Sequence, residues 1–152
     1  MESIIISDRT FENARKEIAK NKDKIIVFSS NDDELNRKIL EKEKIDVLLL
    51  SQSTRKDRIK QRNSGFNQVL AKLAKEKNIA IGINLDEIIN SEKKQKQEIL
   101  ARIKQNVKLC SKNKLKMKFI TLKDENKRDT YDLKALGLIL GMPTWMTSNF
   151  TR

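Results

Sequence analysis

The sequence predicts an α/β fold of parallel βα repeats, and three observations carry that prediction. Five short β-rich apolar runs are spread along the chain. Each is followed by a stretch whose apolar residues recur at three- and four-residue spacing, the period of an amphipathic helix. Most of the runs are apolar almost without a break, as strands of a parallel sheet covered on both faces would be.

The elements follow in order. "SIIIS" (3–7) reads as the first strand and "RTFENARKEIAK" (9–20) as its helix, with Ser7 or Asp8 placed to cap it. "KIIVFSS" (24–30) is the second strand; in the helix "NDDELNRKILEK" (31–42), Asn31 and Glu34 resemble a capping box. "DVLLLS" (46–51) is the third. Gly65 serves the turn into its helix, "FNQVLAKLAKEK" (66–77). That helix sets Phe66, Val69, Leu70 and Leu73 on one face and Lys72, Lys75 and Glu76 on the other, as a helix laid on a sheet does. In the fourth strand, "NIAIGINL" (78–85), Gly82 lets a neighbour pack closely. A long helix runs from about Ser91, its cap, to Asn113; "KMKFITL" (116–122) is the fifth strand, and Pro143 ends the closing helix "YDLKALGLILGM" (131–142). We expect one domain over 1–152. Five βα units fit either an open doubly wound sheet or part of an eight-stranded βα barrel, which when complete needs at least about 200 residues. Either way an edge or mouth is left for a partner to cover.

The charge points to a polyanion. Lys and Arg number 33 against 21 Asp and Glu, a net +12, so like charges repel unless something neutralises them. Nucleic acid is the first candidate. A membrane surface would call for a basic helix with bulky apolar residues opposite, and only 5% of the chain is aromatic. The longest apolar run, "IDVLLL", is too short to cross a bilayer, and "MESIIISDRT" lacks the layout of a signal peptide, so we expect a cytoplasmic protein without membrane contact. The lone Cys110 falls at helical spacing with Ile99, Ile103 and Val107 and reads as a small core residue.

The chain has no histidine. That removes the Ser-His-Asp and Cys-His nucleophile systems and the His-based zinc hydrolase sites. Carboxylates at 31–33 or Asp86 with Glu87 could hold Mg²⁺, although adjacent acids at a helix start more simply complement its dipole. Gly65, Gly82, Gly137 and Gly141 are scattered, and no Gly-rich phosphate loop is present. No cofactor and no metal are read from the chain.

The strongest constellation is "STRKDRIKQRNSG" (53–65), which carries Arg55, Lys56, Arg58, Lys60 and Arg62 between a strand and the next helix. In a parallel α/β fold such loops open at the carboxyl ends of the strands, where ligands bind. A second loop on that side, "KDENKRDT" (123–130), carries Lys123, Lys127 and Arg128. Two basic loops then share one rim suited to phosphate, with solvated surface charge as the bland alternative. Lys93, Lys94, Lys96, Lys104 and Lys108 on the long helix read mostly as a solvated face.

Three segments, "RNSGFNQVLAKLAKEKNIAIGINLDEII" (62–89), "ILARIKQNVKLCSKNKLKMKFIT" (99–121) and "KRDTYDLKALGLILGM" (127–142), resemble in order and spacing the ribonuclease P protein component three family, the archaeal relative of the eukaryotic thirty-kilodalton subunit. The resemblance implies a TIM-barrel-like fold, shortened and incomplete because the family's further N-terminal βα units are missing. It also implies an accessory subunit of the ribonucleoprotein that removes the 5′ leader of precursor tRNA, in which RNA is the catalyst and the isolated chain is inactive. The implied partners are ribonuclease P RNA, precursor tRNA indirectly, and a second small protein subunit, in a heterotetramer. Arg62, Lys77 and Arg128 match basic positions of the family, and Asp132 an acid. With the loop cations, the expected RNA contacts are Arg55, Arg58, Lys60, Arg62, Lys77 and Arg128. Arg128 could instead pair with Asp132 and merely order its loop. The small-residue segment of the family after the fifth strand is replaced here by "TLKDEN". A degenerate metal-dependent phosphoesterase-like barrel and a purely protein-binding domain are the rival readings.

Overall fold

The computed structural model describes residues 2–151, so Met1 and Arg152, the two ends of the predicted domain, lie outside the described residues. Strand and helix alternate as β1 (Ser3–Ile6), α1 (Phe11–Lys20), β2 (Ile25–Ser29), α2 (Asp33–Lys42), β3 (Val47–Leu50), α3 (Gln68–Glu76), β4 (Ala80–Asn84), α4 (Leu85–Asn90), α5 (Lys93–Lys112), β5 (Met117–Ile120), α6 (Thr130–Ile139) and α7 (Thr144–Thr147). Single 3₁₀ turns lie at Asp124–Asn126 and Ser148–Thr151.

The five strands are all parallel, in the order β1-β2-β3-β4-β5. Each crossover therefore carries the chain one strand further in the same direction, and right-handed crossovers then lay every helix on the same face. A doubly wound sheet reverses direction and this one does not. It is the wall of a TIM-barrel-like fold left open after five strands. Alternate strand residues, among them Ile26, Phe28, Leu48, Leu50, Ile81 and Met117, form the main core with Ala14, Ile39, Leu40, Ala71, Ala74, Ile99 and Val107 of the helices. On the other face Val27, Val47, Leu49 and Ala80, flanked by Ile5 and Ile120, pack only on one another. The near-continuous apolar runs thus have a different cause from the one expected: helices cover one face, and the interior face buries its own side chains.

Helix starts correct the sequence reading. The side chain of Thr10 accepts from the Asn13 amide at α1, where Ser7 or Asp8 was expected. Asp32, rather than Asn31, caps α2, its carboxylate accepting from both the Glu34 and Leu35 amides. Ser91 closes α4 instead of opening α5, its hydroxyl donating to the Ile88 carbonyl. Pro143 stands four residues past the end of α6 and starts α7, whose Met146 is fully buried. Cys110 is buried in the core as expected, and burial pushes its thiol pKa up.

Gly82 shows how tightly the interior face is packed: a Cβ there would lie 3.1 Å from Leu49 Cδ1, 3.1 Å from Val47 Cγ1 and 3.2 Å from the Leu49 Cα. Gly82→Val should therefore overpack β3 against β4 and destabilise the chain by about 1–3 kcal/mol. Urea unfolding followed by circular dichroism measures this; an unchanged midpoint would show that the interior face has room.

Candidate functional site

β3 and β5 both end at the carboxyl edge of the sheet, and the long loops that follow them carry the exposed cations. Ser53 of the first loop and Lys123 of the second line one cavity together with Asp86 and Glu87, so the two loops do share a rim.

One helical turn after β4 holds both. Glu87 accepts from the Gln52 amide at 2.8 Å and from the Ser53 hydroxyl, tethering the start of the first loop. Asp86 accepts from the Thr121 hydroxyl, the Leu122 amide and the Asn126 side-chain amide, tethering the second. Burial alone would push the Asp86 carboxyl up, but these hydrogen bonds together outweigh it and hold it below the usual carboxylate range. The two acids that the sequence offered as Mg²⁺ ligands or dipole partners are thus committed to loop backbone and side chains. Among the described residues no group of three or more His, Cys, Asp or Glu is placed to hold a metal ion.

The first loop has a second anchor. Arg102 of α5 is buried, its side chain 3% exposed. It donates to the Gln52 and Arg55 carbonyls at 2.8 and 2.9 Å and to Asp57 Oδ1 at 3.0 Å. The Arg102 hydrogen bond, helped by one from the Asn63 amide, lowers the Asp57 pKa. Gln105 Nε2 reaches the Arg62 carbonyl and Asn106 Nδ2 the Ser64 carbonyl, so α5 braces the loop down to its far end. These residues were passed over in the sequence. The signal that could have found them is positional, since Arg102 and Asn106 fall on the same helical stripe as Ile99, Ile103, Val107 and Cys110. A charged residue on a core-facing stripe has a partner to meet.

The six expected contacts divide. Arg55 is turned inward: its guanidinium pairs end-on, through Nη1 and Nη2, with Asp33 at 2.8 and 2.9 Å, its Nε donates to the Ser51 carbonyl, and its side chain is only 8% exposed. It lies so close over Gly65, whose φ is +75°, that a Cβ there would stand 2.3 Å from Nη2. Lys77 is engaged within the fold too. Its ammonium donates to the Leu40 and Glu43 carbonyls at 2.8 and 2.9 Å, closing the C-terminus of α2, where a cation suits both the free carbonyls and the dipole. Arg58, Lys60 and Arg62 are exposed and make no ion pair among the described residues. Arg58 and Gln61 exchange backbone hydrogen bonds, a tight turn that pushes Ile59 and Lys60 to the tip. Arg128 in the second loop is also exposed; Nη1 donates to the Glu125 and Lys127 carbonyls and leaves Asp132, whose amide goes to the Asp129 cap.

The sequence matches the model of the family described as RNase P subunit p30 over residues 3–149. Similar proteins include ribonuclease P protein component 3 of Methanococcus maripaludis, 26% identical over 128 residues, which are 84% of this chain and 51% of that protein. The same component of Methanocaldococcus jannaschii is 30% identical over 119 residues, 76% of this chain and 48% of that protein. The chain spans about half the length of these relatives. Its fold superposes with a TM-score of 0.79 and 22% identity on a chain from the cryo-EM structure of archaeal ribonuclease P with mature tRNA, covering 98% of this chain and 63% of that one. At that identity the likeness shows the fold alone.

Arg102→Met leaves two loop carbonyls without this donor and Asp57 with only the Asn63 amide, and should cost about 3 kcal/mol. Tryptic cleavage within 55–62 should accelerate while helix content is kept, and unchanged loop protection would show that Glu87 alone suffices. Lys77→Ala should lower stability by about 1 kcal/mol through the end of α2 and leave the salt dependence of RNA binding unchanged. A flatter salt dependence in that variant would restore Lys77 as a phosphate contact.

Proposed function

The chain belongs to the RNase P subunit p30 family, and from that premise we propose that it is an accessory protein subunit of ribonuclease P, the ribonucleoprotein endonuclease that removes the 5′ leader of precursor tRNA. The single observation that carries this reading beyond family membership is the rim. Arg58, Lys60, Arg62 and Arg128 stand exposed and without ion pairs, on loops whose backbones are held by Asp86, Glu87 and Arg102. A preorganised set of cations of this kind suits RNA phosphate, which is contacted without regard to base sequence.

In this proposal the chain supplies no catalytic group. Asp86 and Glu87 are hydrogen-bonded to the loops, and the chain has no histidine to act as a base. Both features disfavour the phosphoesterase alternative and agree with catalysis by the RNA component. Precursor tRNA is then met indirectly, through the assembled enzyme.

A second protein subunit is also part of the proposal, with a heterotetramer as the assembly. α6 is apolar on its outside as well as its inside: Tyr131 is 77% exposed and Ile139 74%, with Leu138 beside them. An outward apolar face of this kind marks a docking surface. No helix among the described residues is long and apolar enough to cross a membrane, and a cytoplasmic location is part of the same proposal. The single domain over 1–152 stands as part of the same proposal.

In ribonuclease P reconstituted with this chain, Arg62→Ala and Arg128→Ala should each slow precursor tRNA processing and leave the fold intact, since exposed loop substitutions usually cost under about 0.5 kcal/mol. Each should also flatten the salt dependence of RNA binding by close to one unit of slope, whatever the RNA sequence. Asp132→Ala should change neither. If the two arginine variants process at the unaltered rate with the unaltered slope, the rim is not the RNA surface.

A further inference from the structure

Two cavities adjoin at Arg62. The first, of ≈ 360 Å³, lies between the first loop and the starts of α2 and α3. Its charge is nearly balanced: Asp33 is paired with Arg55 and Arg37 with Glu41, which leaves Arg58 and Arg62 against Glu34. The second, of ≈ 680 Å³, is an open groove along the flank of α5, where Arg62, Lys104 and Lys108 stand above Leu100, with Gln97 and Gln105 beside them. No carboxylate lines it. Neither Lys104 nor Lys108 makes an ion pair among the described residues, and both are exposed.

The three cations are held in a fixed relation. Gln105 Nε2 donates to the Arg62 carbonyl and to the Ser64 hydroxyl, so the loop that carries Arg62 is fastened to the helix that carries the lysines. Lys104 and Lys108 are four residues apart on one helical face, about 6 Å along the axis. That step is comparable to the distance between successive phosphates of a nucleic-acid strand. The floor offers no aromatic side chain and no large exposed apolar one, so a protein segment would find no buried anchor there. A phosphate backbone needs only the row of cations.

We infer that this groove continues the rim: an RNA strand held at Arg58 and Arg62 passes on down α5 and lays its phosphates against Lys104 and Lys108. The lysine-rich outer helix, read from sequence as solvated surface, then becomes the second half of one sequence-independent track. The inference rests on the RNA-binding role proposed above and extends it to a surface that role does not require.

The test is a salt titration of RNA binding by the full chain, using an oligouridine and a mixed-sequence RNA hairpin as probes. Lys104→Ala/Lys108→Ala keeps the helix, since alanine is the best helix former, and circular dichroism checks this. It should flatten the salt slope by about 1.4 for the single strand and about 1.8 for the duplex arm, two contacts in each case. Lys104→Glu/Lys108→Glu should weaken binding further, by repulsion. If Arg62→Ala and Arg128→Ala flatten the slope while the lysine pair does not, the track is overturned and the rim reading stands. If none of the four positions matters, both fall. If the lysine pair governs retention of polyglutamate but not of either RNA, the groove takes an acidic protein segment and the inference is wrong.

Discussion

Everything at the carboxyl edge depends on carboxylates and one guanidinium turned inward. A chain of net charge +12 that gathers cations on two neighbouring loops should push those loops apart. It does not have to, because the loop backbones are held by groups of fixed position: Glu87 and Asp86 on the turn after β4, and Arg102 reaching across from α5. Each engages main-chain atoms. Arg58, Lys60 and Arg62 are thereby released from ordering the loop with their side chains and can face outward.

The cations of the site therefore fall into two populations that residue type alone does not separate. Arg55, Lys77 and Arg102 are internal, each donating to carbonyls, and two of them are also paired with an Asp. Arg58, Lys60, Arg62 and Arg128 are external, and the two carbonyls to which Arg128 donates belong to exposed loop residues. Removing an internal one leaves acceptors without donors, whereas removing an external one changes mainly the surface potential. Arg55 and Arg58 sit three residues apart in the same loop and belong to different populations.

Much of the fold was legible because it rests on local pattern. β1 to β5, α1 to α3, α5 and α6 lie where apolar runs and 3.6-residue periodicity put them, with no end displaced by more than three residues. What was not legible depends on distance. α4 hides in "LDEIIN", too short to show a period and continuous with the apolar strand before it. The choice between a doubly wound sheet and a barrel wall lies in strand order, which no single segment encodes. The rim itself was readable as two basic loops, but its division into tethered and free residues was not. Asp33 lies 22 positions before Arg55, and Arg102 lies 45 after Asp57. Only the closed fold brings them together.

The isolation of Cys110 has a practical consequence. It is the chain's one thiol, it packs among Ile99, Ile103 and Val107, and burial keeps it protonated. Thiol-reactive reagents act on the thiolate and need access to it. The native protein is therefore silent toward maleimides and iodoacetamides, so a cysteine introduced on the rim or on α5 can carry a fluorophore or spin label without background, and the unmodified chain serves as its own blank.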